Sequence, residues 1–211
     1  MKSKRKVILY IAQSLDGYIA REDGAIDWLG GEGKEEVLDY GYDEFYSRID
    51  TVIMGRKTYE QILNELSPEA WVYEGKKSYV FTKNKMDEEL LLEESIKDVS
   101  NEIIFVNEDF GKLYRKTQTY NEDITFINED AAEFIRKLKS EEGKDMWIVG
   151  GAGFIDTLMK EDLIDEYTIT TMPLVLGSGI PLFKEGNPEI KLKLNEVKTV
   201  DGMIISEYSR R

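Results

Sequence analysis

Two strand-to-helix turns built on glycine constrain the fold of this chain more than any other feature. The first comprises an apolar strand at 52–54, Gly55 and a helical pattern at 57–66, and the second comprises a strand at 146–149, the glycine-rich turn 150–153 and a helix at 154–160. A glycine between a strand and a helix lets backbone N–H groups and the helix N-terminus approach an anion closely. Two such turns in one chain favour a dinucleotide, because each turn can hold one end of it.

Strands and helices alternate over most of the chain. Apolar runs predict strands at 7–12, 52–54, 78–82, 103–106, 124–127 and 146–149, and apolar residues at helical spacing predict helices at 34–49, 57–66, 130–139 and 154–160. The last predicted strands, 165–175, 191–197 and 203–208, have no helix between them, which is typical of antiparallel strands at a sheet edge. We therefore predict one α/β domain over residues 1–211, with a mostly parallel central sheet flanked by helices and antiparallel C-terminal strands. The charge-dense segment 83–121 is a candidate insertion within it.

Composition and charge narrow the functional classes. The chain has 28 Lys and Arg against 42 Asp and Glu, and its net charge of −14 repels nucleic acids and anionic membrane surfaces. We therefore expect neither nucleic acid nor membrane as a partner. The apolar run 7–12 is too short for a signal-peptide core or a membrane span, so we expect a cytoplasmic protein. The sequence leaves a homodimer open as well as a monomer.

The chain contains no cysteine and no histidine. This excludes disulfides, thiolate catalysis, sulfur-ligated zinc and the commonest general base. Carboxylates, tyrosines, lysines and water remain for proton transfer. The protein's acid–base chemistry must use these groups.

Arg56 and Lys57 follow Gly55 at the start of the first predicted helix. Cations are unfavourable at that end of a helix dipole, and a bound anion would explain them. Two alternatives stay open: the basic side chains simply reach water, and the glycines at 150–153 only make a turn.

Four motifs together carry a resemblance to a known superfamily. They are Ser14-Leu15-Asp16-Gly17-Tyr18-Ile19-Ala20, Met54-Gly55-Arg56-Lys57-Thr58-Tyr59-Glu60, Ile148-Val149-Gly150-Gly151-Ala152-Gly153 and Pro173-Leu174-Val175-Leu176-Gly177-Ser178-Gly179. In this order they resemble the dihydrofolate-reductase-like superfamily, and they are closest to the reductase domain of the riboflavin-biosynthesis deaminase-reductases. The second motif is shared with the folate-type enzymes.

The resemblance implies an NADPH-dependent reductase and a position for each part of the cofactor. It places Ala12, Asp16 and Ile19 along the nicotinamide, the run Gly150, Gly151, Ala152, Gly153 and Phe154 at the pyrophosphate, and Gly55, Arg56, Lys57 and Thr58 at the adenosine phosphates. It also places Thr82 near the adenine ribose and Lys83 near the 2′-phosphate, which favours NADPH over NADH.

Two positions depart from the relatives. Val149 stands where riboflavin-pathway reductases usually have a glutamate, and Gly153 stands where folate-type enzymes often have an arginine. The resemblance implies hydride transfer to a small heterocyclic substrate, first of all to a 5-amino-6-(5-phosphoribosylamino)uracil. The alternatives are a dihydrofolate or other pterin reductase, and a non-catalytic nucleotide-binding protein of the same fold.

One carboxylate is a candidate for contacting the substrate. Folate-type enzymes carry an acid on the helix that precedes the Met-Gly-Arg strand, and counting back from Gly55 reaches Asp39. At ~100° per residue, Asp39 falls on the border of the predicted helix's apolar stripe, whereas Asp43 points further towards solvent. We predict Asp39 as the catalytic and substrate-binding acid, with Thr170 on the facing strand as its neighbour. The alternative is an ordinary acid in an acidic helix start.

Overall fold

A computed structural model describes residues 5–29, 41–82 and 123–211, together with the backbone of two strands at 104–107 and 112–115. The strands are β1 (Val7–Gln13), β2 (Tyr18–Ala20), β3 (Ile49–Gly55), β4 (Lys77–Phe81), β5 (Ile104–Asn107), β6 (Lys112–Arg115), β7 (Ile124–Ile127), β8 (Asp145–Gly150), β9 (Glu166–Thr171), β10 (Ile180–Pro181), β11 (Leu192–Val200) and β12 (Met203–Arg210). The α-helices are α1 (Tyr42–Ser47), α2 (Arg56–Gln61), α3 (Ala131–Ser140) and α4 (Ala152–Lys160). A π-helical turn, Ile62–Leu66, follows α2 directly.

Eight strands form the central sheet in the order β11-β12-β9-β1-β8-β3-β4-β7. The six strands from β9 to β7 are parallel, and β12 and β11 continue the sheet in antiparallel pairing. This arrangement confirms the predicted fold class. The carboxyl ends of the six parallel strands meet at one edge, which is where ligands bind in sheets of this kind. We call it the carboxyl edge.

Alternating residues of the strands cover the two faces of the sheet. Val7 and Leu9 of β1 pack on the face covered by α3 and α4, whereas Ile8 and Tyr10 pack on the face covered by α1 and α2. The α1/α2 face is rich in aromatic rings, and Trp147 of β8 lies edge-on against Phe45 of α1. Both faces are therefore buried over the parallel strands, as their nearly continuous apolar sequences indicate.

Two predicted elements end in different places from those expected. The helix predicted over 34–49 stops at Ser47, because Ile49 already belongs to β3 and pairs with Asp145. The strand predicted over 165–175 ends at Thr171, and the chain leaves the sheet there, at the carboxyl edge.

Short strands escaped prediction. β2 and β10, neither of them predicted, pair with each other in a sheet of their own; β6, also not predicted, pairs with β5, which the sequence predicted at 103–106, in a two-stranded sheet within the candidate insertion. Within the described part of the chain, no helix is long and apolar enough to cross a membrane.

Candidate active site

The two glycine turns lie side by side at the carboxyl edge. β3 and β8 are neighbours, with Met54 paired to Gly150. The backbone N–H of Gly151 donates a hydrogen bond of 3.1 Å to Oγ1 of Thr58 in the first turn of α2. A Cβ on Gly151 would lie only 3.2 Å from the same oxygen. The Thr58 hydroxyl thus ties the start of α2 to the turn that precedes α4.

Backbone N–H groups at the start of α4 are available to a ligand. Gly150 has φ of 155°, which L side chains rarely adopt. The N–H of Phe154 donates to the Gly151 carbonyl at 2.9 Å, and the Phe154 ring is buried against Phe81. Ala152 and Gly153 precede it in α4, and N–H groups at such positions have no acceptor within the helix. Of the predicted pyrophosphate residues, Ala152 and Phe154 are buried and Gly153 is exposed, and their contact with a pyrophosphate stays a prediction.

A lysine from a distant part of the chain lies beside the start of α4. Nζ of Lys184 lies 3.8 Å from the position that a Cβ on Gly153 would occupy. An ammonium group beside a helix N-terminus is unfavourable by itself and becomes favourable when an anion binds there. No local pattern in the sequence signals this approach, since it depends on the path of residues 172–184 along the sheet edge.

The other turn carries the cations that the sequence singled out. Nε of Arg56 donates to Glu60 at 2.5 Å, one turn further along α2. Arg56 is therefore already neutralised by a carboxylate, whereas Lys57 is exposed. Lys83, predicted beside the 2′-phosphate, lies outside the described residues.

The remaining predicted positions extend along the same edge. Thr170 of β9 pairs with Ala12 of β1. On the opposite side of the two glycine turns, Gly55 of β3 pairs with Phe81 of β4, and Thr82 directly follows Phe81 in the chain. In sheet order, the edge therefore presents positions on β9, β1, β8, β3 and β4, a span of ~19 Å at ~4.8 Å per strand. Such a row suits an extended ligand.

Asp16 holds two sequence motifs together. Its carboxylate accepts hydrogen bonds from the Ser14 hydroxyl at 2.6 Å and from the backbone N–H groups of Leu176 at 3.0 Å and Gly177 at 2.7 Å. The Ser14 hydrogen bond, assisted by the two backbone donors and opposed by desolvation, lowers the pKa of Asp16 to about 2. Its charge fastens the loop at 176–177 to the turn after β1, while its predicted place along the nicotinamide stays a prediction.

Gly179 brings the same two motifs into backbone contact. β2 and β10 pair through Ala20 with Ile180 and through Tyr18 with Pro181. A Cβ on Gly179 would lie 2.3 Å from the Ala20 carbonyl oxygen, so no side chain fits there. Ile19 packs, partly buried, against the core of the α3/α4 face.

The helical phase from which Asp39 was placed is interrupted at Gly41, and Asp39 itself lies outside the described residues. The prediction continued a helical phase from residue 34 to residue 49, but Gly41 has φ of 88° and directly precedes α1. A left-handed residue breaks the helical phase, so the position of Asp39 does not follow from that of Tyr42. Its catalytic role stays a prediction, and so does its contact with Thr170.

Aromatic and apolar residues of β1, α1 and β8 form a cluster on the α1/α2 face of the sheet. Tyr10 stacks on Phe45 with a centroid distance of 4.2 Å, and Tyr42 approaches the edge of the Tyr10 ring. Burial, followed by the neighbouring tyrosines and Asp43, raises the pKa of Tyr42 to about 12, which keeps its phenol protonated. Val149, at the place of the expected glutamate, packs against the same cluster.

The mostly parallel central sheet with antiparallel C-terminal strands is that of the dihydrofolate-reductase-like α/β fold. The dihydrofolate reductase of Enterococcus faecalis, solved in complex with NADP(H), shares this fold with a TM-score of 0.56 and 15% identity over 97% of this chain and 96% of that one. The chain belongs to the family of the RibD C-terminal domain, whose sequence model matches residues 5–206.

Other proteins resemble the chain over its whole length. The uncharacterized protein YwjB of Bacillus subtilis (strain 168) is 43% identical over 210 residues, 98% of this chain and 99% of YwjB. A putative riboflavin biosynthesis protein from Shewanella sp. PV-4 has a TM-score of 0.73 and 27% identity, with 98% of this chain and 99% of that one covered. The deaminase/5-amino-6-(5-phosphoribosylamino)uracil reductase of Thermotoga maritima has a TM-score of 0.62 and 15% identity; the match covers all of this chain and 58% of the larger enzyme.

Proposed function

We propose that the protein is an NADPH-dependent reductase whose cofactor lies along the carboxyl edge. The observation that carries the proposal is the junction of the two glycine turns, which the Gly151 to Thr58 hydrogen bond holds together. Each turn alone is a common structural feature, but the two joined turns form one continuous binding surface at the carboxyl edge. The fold that the chain shares with an NADP(H)-binding dihydrofolate reductase supports the same cofactor.

The residues present fit a dinucleotide phosphate. In the proposed complex, the N–H groups of Ala152 and Gly153 donate to the pyrophosphate, and the ammonium group of Lys184 balances its charge. At Gly151, a Cβ would crowd the Thr58 hydroxyl and take the space where backbone and phosphate approach. Lys57 lies at the turn proposed for the adenosine phosphates, which favours NADPH over NADH.

When bound, NADPH supplies a hydride, and the chain's own residues orient the substrate and deliver a proton. Asp39 is the proposed proton source. For hydride transfer, the protein mainly has to orient the cofactor and the substrate and to keep water out of the pocket. The apolar wall of Tyr10, Phe45 and Val149 suits such a pocket.

The leading substrate is a 5-amino-6-(5-phosphoribosylamino)uracil, as in riboflavin biosynthesis. Membership of the RibD C-terminal domain family and the likeness to the Shewanella protein support it. A dihydrofolate or other pterin is the second candidate, because Val149 replaces a glutamate that the riboflavin-type substrate would meet and leaves an apolar surface for a flat ring.

Turnover with each candidate substrate tests the proposal. We expect loss of NADPH absorbance with one of the two substrates, and the faster reaction identifies the class. Binding of NADPH without oxidation in the presence of either substrate would favour a nucleotide-binding protein over a reductase. Absence of NADPH binding would refute the proposed cofactor site itself.

A further inference from the structure

The α1/α2 face of the sheet changes from apolar to polar between β8 and β12. Tyr10 of β1 and Val149 of β8 each follow the last pair of the β1–β8 ladder, and both pack in the aromatic cluster on this face. On its other side, Tyr10 pairs with Thr168 of β9, and Thr168 pairs with Glu207 of β12. Side chains of directly paired residues point to the same side of a sheet. We call this set the cross-strand row: Val149, Tyr10, Thr168 and Glu207.

The packing of neighbouring residues shows which face the polar end of the row occupies. Tyr167 precedes Thr168 and belongs to the core of the α3/α4 face. Tyr208 follows Glu207 and packs against the same core. Because side chains alternate along a strand, Thr168 and Glu207 point to the α1/α2 face. Thr170, two residues beyond Thr168 on β9, shares that face.

The polar end of the row is half-buried. Thr168, Thr170 and Glu207 are all partly shielded from solvent. Within the part of the chain that the structure describes, the two threonine hydroxyls have no hydrogen-bond partner and Glu207 forms no ion pair. Lys198, on the same face of β11, is engaged by Glu196 at 3.3 Å. Half-buried hydroxyl and carboxylate groups cost free energy unless they form hydrogen bonds, and a bound molecule that provides those bonds removes this cost.

The two ends of the cross-strand row suit different parts of a substrate. Val149 and Tyr10 present an apolar surface at one end. At the other end, the Glu207 carboxylate accepts hydrogen bonds but donates none, so it attracts hydroxyl or amino groups and repels phosphate. The end positions are three strand spacings apart, ~14 Å at ~4.8 Å per strand. This length is enough for a heterocyclic ring and a substituent on it.

We propose that Glu207, together with the hydroxyls of Thr168 and Thr170, binds the donor-bearing end of the substrate and thereby determines specificity. This inference rests on the proposed reductase function. The donors are neutral hydroxyl or amino groups: the sugar hydroxyls of a 5-amino-6-(5-phosphoribosylamino)uracil, or the ring amino group of a dihydropterin. The phosphate of the first substrate lies away from Glu207. The polar end of the substrate site is thus at β9 and β12, and Val149 on β8 forms its apolar end.

Steady-state kinetics of Glu207→Gln and Thr168→Val with NADPH and each candidate substrate test the proposal. Both changes keep the size of the side chain and remove only its charge or its hydroxyl. We expect the KM for the substrate to rise about tenfold in Glu207→Gln and about threefold in Thr168→Val, with kcat and NADPH affinity changed by less than about twofold. Thr168→Ser restores the hydroxyl and should restore the KM.

Two control variants lie away from the polar end of the row. Glu189→Gln removes one negative charge from the exposed surface, and Thr199→Val removes a threonine hydroxyl from the opposite face of β11. Neither should change the KM. An unchanged KM in Glu207→Gln, with NADPH oxidation intact, overturns this inference and leaves the proposed function standing.

Calorimetric titration of both substrates separates this inference from the proposed function. If the unmodified protein oxidises no NADPH, the proposed reductase function fails, and the titration alone decides the role of Glu207. Weaker binding of a substrate to Glu207→Gln than to the unmodified protein supports that role. Equal binding to the two proteins, or no binding of either substrate to the unmodified protein, overturns it.

Discussion

Gly179→Ala tests whether the Ser-Leu-Asp-Gly and Leu-Gly-Ser-Gly motifs form one structural unit. Gly179 has φ of 157°, and a Cβ there would lie 2.3 Å from the Ala20 carbonyl oxygen and 3.3 Å from Cβ of Tyr18. The backbone conformation costs about 1–3 kcal/mol for a non-glycine residue. Overpacking costs about 1–3 kcal/mol more, and separation of β10 from β2 relieves part of it. We expect a net destabilisation of about 3 kcal/mol.

A thermal melt measures this loss. For a chain of this size, about 3 kcal/mol lowers the Tm by about 6–12 °C. Gly177→Ala is the matched control, because Gly177 has φ of 80° but a Cβ there would meet nothing within 4 Å. The control carries only the backbone cost of about 1–2 kcal/mol. If Gly179→Ala melts no lower than Gly177→Ala, the close contact with Ala20 is not what requires glycine, and the reasoning is refuted.

Three further substitutions test the site. Lys184→Gln should weaken NADPH and NADH alike by about tenfold in titrations, because both carry the pyrophosphate, whereas Lys191→Gln on the open surface should change neither. Asp16→Asn should lower the Tm above pH ~4, where Asp16 is ionised in both the folded and the unfolded chain. The pKa of Asp16 is about 2 in the folded chain against an ordinary 3.8, so the difference in Tm between the variant and the unmodified protein should vanish as the pH falls from about 4 to about 2. Asp39→Asn should reduce kcat by ~10²-fold with NADPH affinity unchanged, and Asp43→Asn should not; the reverse result would exchange their roles.

Long-range apolar pattern and glycine placement were sufficient to predict the architecture. The parallel strands are nearly continuous apolar runs, and of the three strands without intervening helices, β11 and β12 form the antiparallel end of the sheet beside β9. The junction of the glycine turns also follows from sequence, because each turn comes after a strand and the carboxyl ends of parallel strands meet. Here Gly55 and Gly150 end adjacent strands.

The parts that sequence could not predict depend on tertiary contacts. β2 and β10 are three and two residues long, too short for a periodic signal, and they form only because Gly179 allows the two segments to touch. Lys184 reaches Gly153 from 31 positions away along the chain. Gly41 resembles a tolerated glycine in a helical pattern, but its positive φ ends that pattern and removes the phase on which the position of Asp39 was based.

Titration of the purified protein with NADPH and NADH, alongside Gly151→Val, is the most direct test of the cofactor site. A valine at 151 places a branched side chain against the Thr58 hydroxyl and into the proposed phosphate position. We predict that NADPH binds more tightly than NADH, and that folded Gly151→Val loses affinity for both by about tenfold or more, equivalent to at least about 1.4 kcal/mol. Unchanged NADPH affinity in folded Gly151→Val, or no binding of either dinucleotide to the unmodified protein, would contradict the account.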